Sequence, residues 1–298
     1  VDESEGRGVF GRDGQHGSKK PKHTTRKCDP KTASGCGTGM PDYAIHLMPA
    51  ALRLGDIPLK YSPPLGPSVA FRLNYNDLGS TTPNEPTFSN VGRTWSNDWV
   101  AWVDHQPGNL PYGTEVEVHI SGGGSVLQPI NLREASTMST LTRDSNFTYT
   151  RTLADGSKEI YATPDSPTAP SRVFLSDKID RFGHRLSFTY DHLLRLVSVT
   201  DAIGQVTTLQ YENQSDLYKI TSVTDPFDRK AVLGYNNAGQ LISITDQIGL
   251  TSTFTYHYHG FVKTMTTPYG TTSFDKDGIL GPESDIWIQV TDPNGDIE

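Results

Sequence analysis

The chain has 298 residues, enough for a substantial core in one large domain or two. Only 34% of them are hydrophobic while Gly (28) and Pro (20) are abundant, a balance that suits short strands and tight turns rather than long helices. The net charge of −8 argues against nucleic acid as a partner, and no run of 18 apolar residues is present to span a membrane.

Residues 1–42 read as a flexible or extended Gly/Lys-rich tail that opens, at Val1-Asp2-Glu3-Ser4-Glu5, without the apolar segment of a signal peptide. Its basic cluster (Lys19, Lys20, Lys22, Arg26, Lys27) fits a solvated tail better than a polyanion contact. Cys28 and Cys36 are the only thiols and flank Pro30 and Gly35, so a small disulfide-closed loop is expected if the chain is extracellular. A zinc site combining them with His16 and His23 matches no ligand spacing.

Residues 43–170 are expected to form an irregular N-terminal β region. Leu59-Lys60-Tyr61 and the alternating run Val69 to Tyr75 are strand-like. Trp95, Trp99 and Trp102 fall within eight positions and point to a local core or plug, with an exposed sugar-binding platform as the alternative. Glu115–Ile120 and Val126-Leu127 form a predicted hairpin around Gly122-Gly123-Gly124, where no Lys-Ser/Thr follows to make a phosphate loop. A second hairpin turns at Asp155-Gly156, and Pro164, Pro167 and Pro170 then mark a boundary.

Residues 171–298 are repetitive. Tyr190, Tyr211, Tyr235 and Tyr256 recur at intervals of 21, 24 and 21 residues. Between them lie Asp191, then Thr200-Asp201 with Gly204; Thr224-Asp225 with Asp228; and Gly239, then Thr245-Asp246 with Gly249. Each unit holds two apolar runs, such as Leu196, Val197, Val199 and then Val206, Leu209, Tyr211, each long enough for a strand. In the Thr-Asp-x-x-Gly between them, Asp can accept backbone hydrogen bonds and Gly can take positive φ. One strand-turn-strand unit cannot bury its own apolar face, and stacking units side by side into one sheet is expected to cover it.

This pattern resembles the YD repeat of the Rhs and teneurin families, in which units read roughly Tyr-Asp-x-x-Gly-Arg-Leu-x-x-Val-Thr-Asp-x-x-Gly. Tyr190-Asp191, Arg195-Leu196 and Val199-Thr200-Asp201 match it, with Leu194 in place of the usual Gly. Tyr235-Asn236, Gly239-Gln240-Leu241 and Ile244-Thr245-Asp246 match with Asn for Asp. Upstream, Val69 to Asn76 and Gly92-Arg93-Thr94-Trp95-Ser96 resemble the segment that introduces such arrays. The resemblance implies an all-β fold, a repeat-built β-sheet spiral preceded by an irregular β region and continuing beyond Glu298. It implies a non-catalytic shell that encapsulates or displays another part of the polypeptide, such as a C-terminal toxin, secreted or at the cell surface of a bacterium. Adhesion to a cell-surface protein or glycan is the alternative.

The search for chemistry finds little. No nucleophile elbow or His-Glu-x-x-His helix occurs, and no catalytic residue, cofactor or metal is expected. His257 and His259 share one face of a predicted strand without a completing ligand, and a carboxylate pair in a groove would be needed to revive a carbohydrate-active reading. Asp292-Pro293-Asn294-Gly295 has the spelling of the self-cleavage stretch of Rhs-like proteins, but it also fits the Thr-Asp-x-x-Gly turn of the repeat, and such relatives place the cleavage stretch after many more units, so a repeat turn is expected. Asp201, Asp225 and Asp246 could bind calcium, although a regular turn Asp is usually structural.

Overall fold

The computed structural model describes residues 40–46, 50–78, 86–108, 110–145, 147–257, 260–277 and 287–297. Residues 1–39 of the expected tail, with its basic cluster, Cys28 and Cys36, lie outside these residues, while Asp42, its last residue, already opens a strand. The described residues form strands, turns and bends, with no helix among them.

A first antiparallel sheet is built from β1 (Asp42–His46), β2 (Ala51–Tyr61), β3 (Val69–Asn76) and β4 (Trp95–Asn97), paired in that order. In β3 every second residue (Val69, Phe71, Leu73, Tyr75) is almost fully buried, the pattern of a sheet with one apolar face. Leu59-Lys60-Tyr61 is the end of a strand much longer than its own apolar run suggests.

A second sheet begins with β5 (Trp102–Asp104), β6 (Glu115–His119), β7 (Ser125–Pro129), β8 (Thr140–Ser145), β9 (Thr148–Thr152), β10 (Lys158–Pro164) and β11 (Arg172–Ile179). Both expected hairpins are here, as β6–β7 and β9–β10. These seven strands close into a ring. Single bridges from Ile130 and Arg133 to Leu141 and Thr140 link the β7 and β8 ends, and Arg172–Phe174 of β11 ladders back onto β5. Pro167 and Pro170 lie in the β10–β11 connection, and the sheet runs on across it.

The second half of β11 pairs instead with β12 (Arg185–Tyr190), and the sheet continues strand by strand. The array comprises β13 (Leu196–Thr200), β14 (Val206–Gln210), β15 (Ser222–Thr224), β16 (Lys230–Tyr235), β17 (Leu241–Thr245), β18 (Thr251–Tyr256), β19 (Val262–Thr267), β20 (Gly270–Asp277) and β21 (Trp287–Thr291). Every neighbouring pair is antiparallel.

Inward residues follow two rules. Strands β14, β16, β18 and β20 turn a small residue and a large one to the core: Thr207 and Leu209, Ala231 and Leu233, Ser252 and Phe254, Thr272 and Phe274. Strands β13, β17 and β19 bury residues three apart (Leu196 and Val199, Leu241 and Ile244, Val262 and Met265), because a β-bulge opposite Tyr190, Tyr235 and Tyr256 shifts the register. Simple alternation therefore fails at Val197, which is half-buried, whereas β14 keeps it with Thr207 and Leu209 inward, so that Val206 points outward.

Side-by-side pairing satisfies the strand edges but does not cover this apolar face, contrary to the sequence expectation. The first sheet covers it. Leu54, Leu59, Phe71, Leu73, Tyr75 and Trp95 share one continuous core with the inward residues of β12 to β21.

Candidate functional site: repeat turns, tyrosine latches and the covered face

The repeat turns share one geometry. Asp201 Oδ1 accepts the backbone N–H groups of Ile203 and Gln205 at 3.0 and 2.9 Å, while Gly204 N–H donates to the Asp201 carbonyl. The same side-chain bonds recur from Asp180 to Phe182 and His184, from Asp191 to Leu193 and Arg195, and from Asp225 to Phe227 and Arg229. They recur again at Asn236, Asp246 and Asp292. Two backbone donors that a tight turn would otherwise leave open are thus satisfied by one oxygen. Thr200, Thr224 and Thr245 are the strand residues just before these turns, paired with Val206, Lys230 and Thr251.

The fourth turn residue has φ between 61° and 91°, supplied by Gly204, Gly239 and Gly249 but also by Leu194 and Asp228. A non-glycine residue there is strained by roughly 1–2 kcal/mol. Leu194 offsets that cost by packing against the satellite cluster of Phe88, Trp102 and Phe174. Its departure from the repeat spelling is a packing choice.

The repeat tyrosines act as latches. Tyr190, Tyr211 and Tyr235 donate through Oη to the carbonyls of Leu175, Leu196 and Ile220 at 3.0, 2.8 and 2.7 Å, and Tyr256 donates to Leu241, each fifteen residues back. Burial pushes all four phenols above the ordinary tyrosine range, so they stay protonated donors.

The first sheet is seated on these same parts. Trp95 Nε1 donates to Tyr256 Oη at 2.9 Å, Ser89 Oγ bonds Tyr211 Oη at 2.6 Å, and Tyr61 Oη donates to Asp201 Oδ2 at 3.2 Å. Tyr75 Oη accepts from Val262 N–H and donates to the Gly260 carbonyl. In the 24-residue unit Asn90 forms a bridge with Lys219, whose Nζ reaches Asn90 Oδ1 at 3.0 Å. At one junction two carboxylates are buried together. Asp56 of β2 is 4% exposed and Asp246 2%, and each has an oxygen without a hydrogen-bond partner. Burial first, with Asp246 and Asp42 adding to it against a bond from Ile57, raises the Asp56 carboxyl to about 7.

Trp95, Trp99 and Trp102 are 1%, 2% and 5% exposed, so they present no ring platform. Nor do they make a single plug: Trp95 packs on Tyr75 and Phe254, Trp99 on Phe71, and Trp102 on Phe88. His257 is not within a strand. It takes the Asp slot of a repeat turn, bonded to Phe261 and Gly260 backbone, with Nε2 near the Phe274 carbonyl, and His259 lies outside the described residues. The Arg151–Glu159 ion pair (3.0 Å), with Tyr161 donating to the same Glu159 oxygen, is buried inside the ring and serves its packing.

Turns, latches and inward residues together define a repeat-built antiparallel β-sheet protein. Residues 190–230 and 235–272 match the family described as RHS Repeat, so this stretch is an array of RHS repeats. A search of curated proteins finds no match. The RHS repeat is a structural unit, and each signature residue of the array is used as one.

Proposed function

We propose that the chain is a non-catalytic wall segment of an Rhs-type β-shell that encloses or displays another part of the same polypeptide, with a toxin as cargo, secreted or at a bacterial cell surface. One observation supports this reading above others: in unit after unit, the turn carboxylates and latch tyrosines are taken up in holding the sheet. A cavity of about 210 Å³ beside Trp95, Asn74 and Gly122 is lined by no Asp, Glu or His, so it lacks an acid–base pair. Burial of the three tryptophans counts against a glycan platform built on them. Cryo-electron microscopy of the native, full-length gene product tests the proposal. A wound sheet around additional density is the expected result. A compact particle without enclosed density, with a ligand-lined groove, would overturn it.

A further inference from the structure

The outer face of the ring carries three donor side chains, Asp104, Glu117 and His119, that are no part of the repeat turns, the tyrosine latches or the first sheet. Trp102 is in register with His119 and Val103 with Val118. Val103 and Val118 are fully buried in the core, so Trp102, Asp104, Glu117 and His119 lie together on the opposite face. His119 Nε2 is 3.4 Å from Asp104 Oδ2 and 3.8 Å from Glu117 Oε1, and one donor atom from each residue lies within 4.8 Å of the others.

These separations are long for charge-assisted hydrogen bonds, which settle near 2.7–2.9 Å. They suit a shared cation better: a metal about 2.1 Å from each of its ligands in a tetrahedron sets those ligands about 3.4 Å apart. The donors are also held in place. The Trp102 indole stacks on the His119 ring, with centroids 4.1 Å apart and planes 14° from parallel. Its Nε1–H donates to Asp104 Oδ1 at 3.0 Å, which leaves Oδ2 turned to the group. One rigid side chain therefore orients two of the three donors, as outer partners do in metal sites. The Asp104 and Glu117 side chains are 43% and 42% exposed, so an ion has a path in.

We propose that Asp104, Glu117 and His119 bind one divalent transition-metal ion of the zinc type, with a coordination position left to solvent. Imidazole with carboxylates favours such ions over calcium or magnesium, which take oxygen ligands. The ion ties β5 to β6 where their ladder is only two residue pairs long, at the strand through which the ring closes.

The test is calorimetric titration of ZnCl2 into the untagged chain carrying Cys28→Ser and Cys36→Ser, which removes competing thiols. Expected are one site per chain, a change in tryptophan fluorescence on binding, and affinity at least tenfold weaker in both Glu117→Gln and His119→Gln. Glu117→Gln is the decisive variant, because so exposed a side chain can be changed without unfolding the strand. Absence of stoichiometric binding overturns the proposal. So does binding that Glu117→Gln leaves unchanged, or that His257→Gln abolishes instead.

Discussion

Replacing Asp56 by Asn should stabilise the protein at alkaline pH and leave it little changed at acidic pH. The carboxyl has a folded-state value of about 7 against 3.8 for the free side chain, with burial as the leading cause. Below about pH 3 it is protonated in both states and carries no penalty. As the pH rises from about 4 to about 7 the unfolded chain ionises first, so the folded state is progressively disfavoured, and the loss levels off above 7. A shift of about three units corresponds to about 4 kcal/mol, which is an upper bound because relaxation around a buried charge lowers it. An amide has no charge to desolvate and is not repelled by Asp246. Urea denaturation of wild type and Asp56→Asn at pH 5 and pH 8 reads the effect. Wild type should lose stability between the two, and the variant should lose about 2–3 kcal/mol less. Identical pH dependence in the two proteins would refute the idea that Asp56 carries a strongly raised carboxyl at this junction.

Other substitutions probe the repeat devices. Asp228→Gly relieves positive φ at an exposed turn position and should raise stability by about 0.5–1 kcal/mol, seen as a higher Tm. Tyr235→Phe removes the donor to the Ile220 carbonyl and should cost about 1–2 kcal/mol in urea denaturation, with the far-ultraviolet spectrum unchanged. Glu159→Ala strands the buried Arg151 guanidinium and should cost about 3–5 kcal/mol, whereas the double replacement of Arg151 and Glu159 by Met should recover most of that loss.

The array was legible because its devices are local. Asp201, Ile203, Gly204 and Gln205 complete a turn within five residues, and a tyrosine spaced by about 21 residues marks each unit. The bulges were not legible, since Val197 is as apolar as the residues that point inward, and only the ladder register sets it apart. The cover over the apolar face was hidden for a different reason. Tyr61 meets Asp201 and Tyr75 meets Val262 at separations of 140 and 187 residues, far beyond any periodicity. The Asp104, Glu117 and His119 group depends on Trp102 lying opposite His119, a pairing that no motif announces.

The long separation between the first sheet and its partners has a consequence for synthesis. Tyr75 leaves the ribosome 187 residues ahead of Val262, the residue whose N–H it accepts. At roughly 5–20 residues per second, the nascent chain spends on the order of ten to forty seconds with the apolar side of β2 to β4 uncovered. Over that interval the half-made protein is a target for chaperones and for its own neighbours on the polysome. Slower translation of the array would lengthen that exposure without altering a single contact of the finished fold.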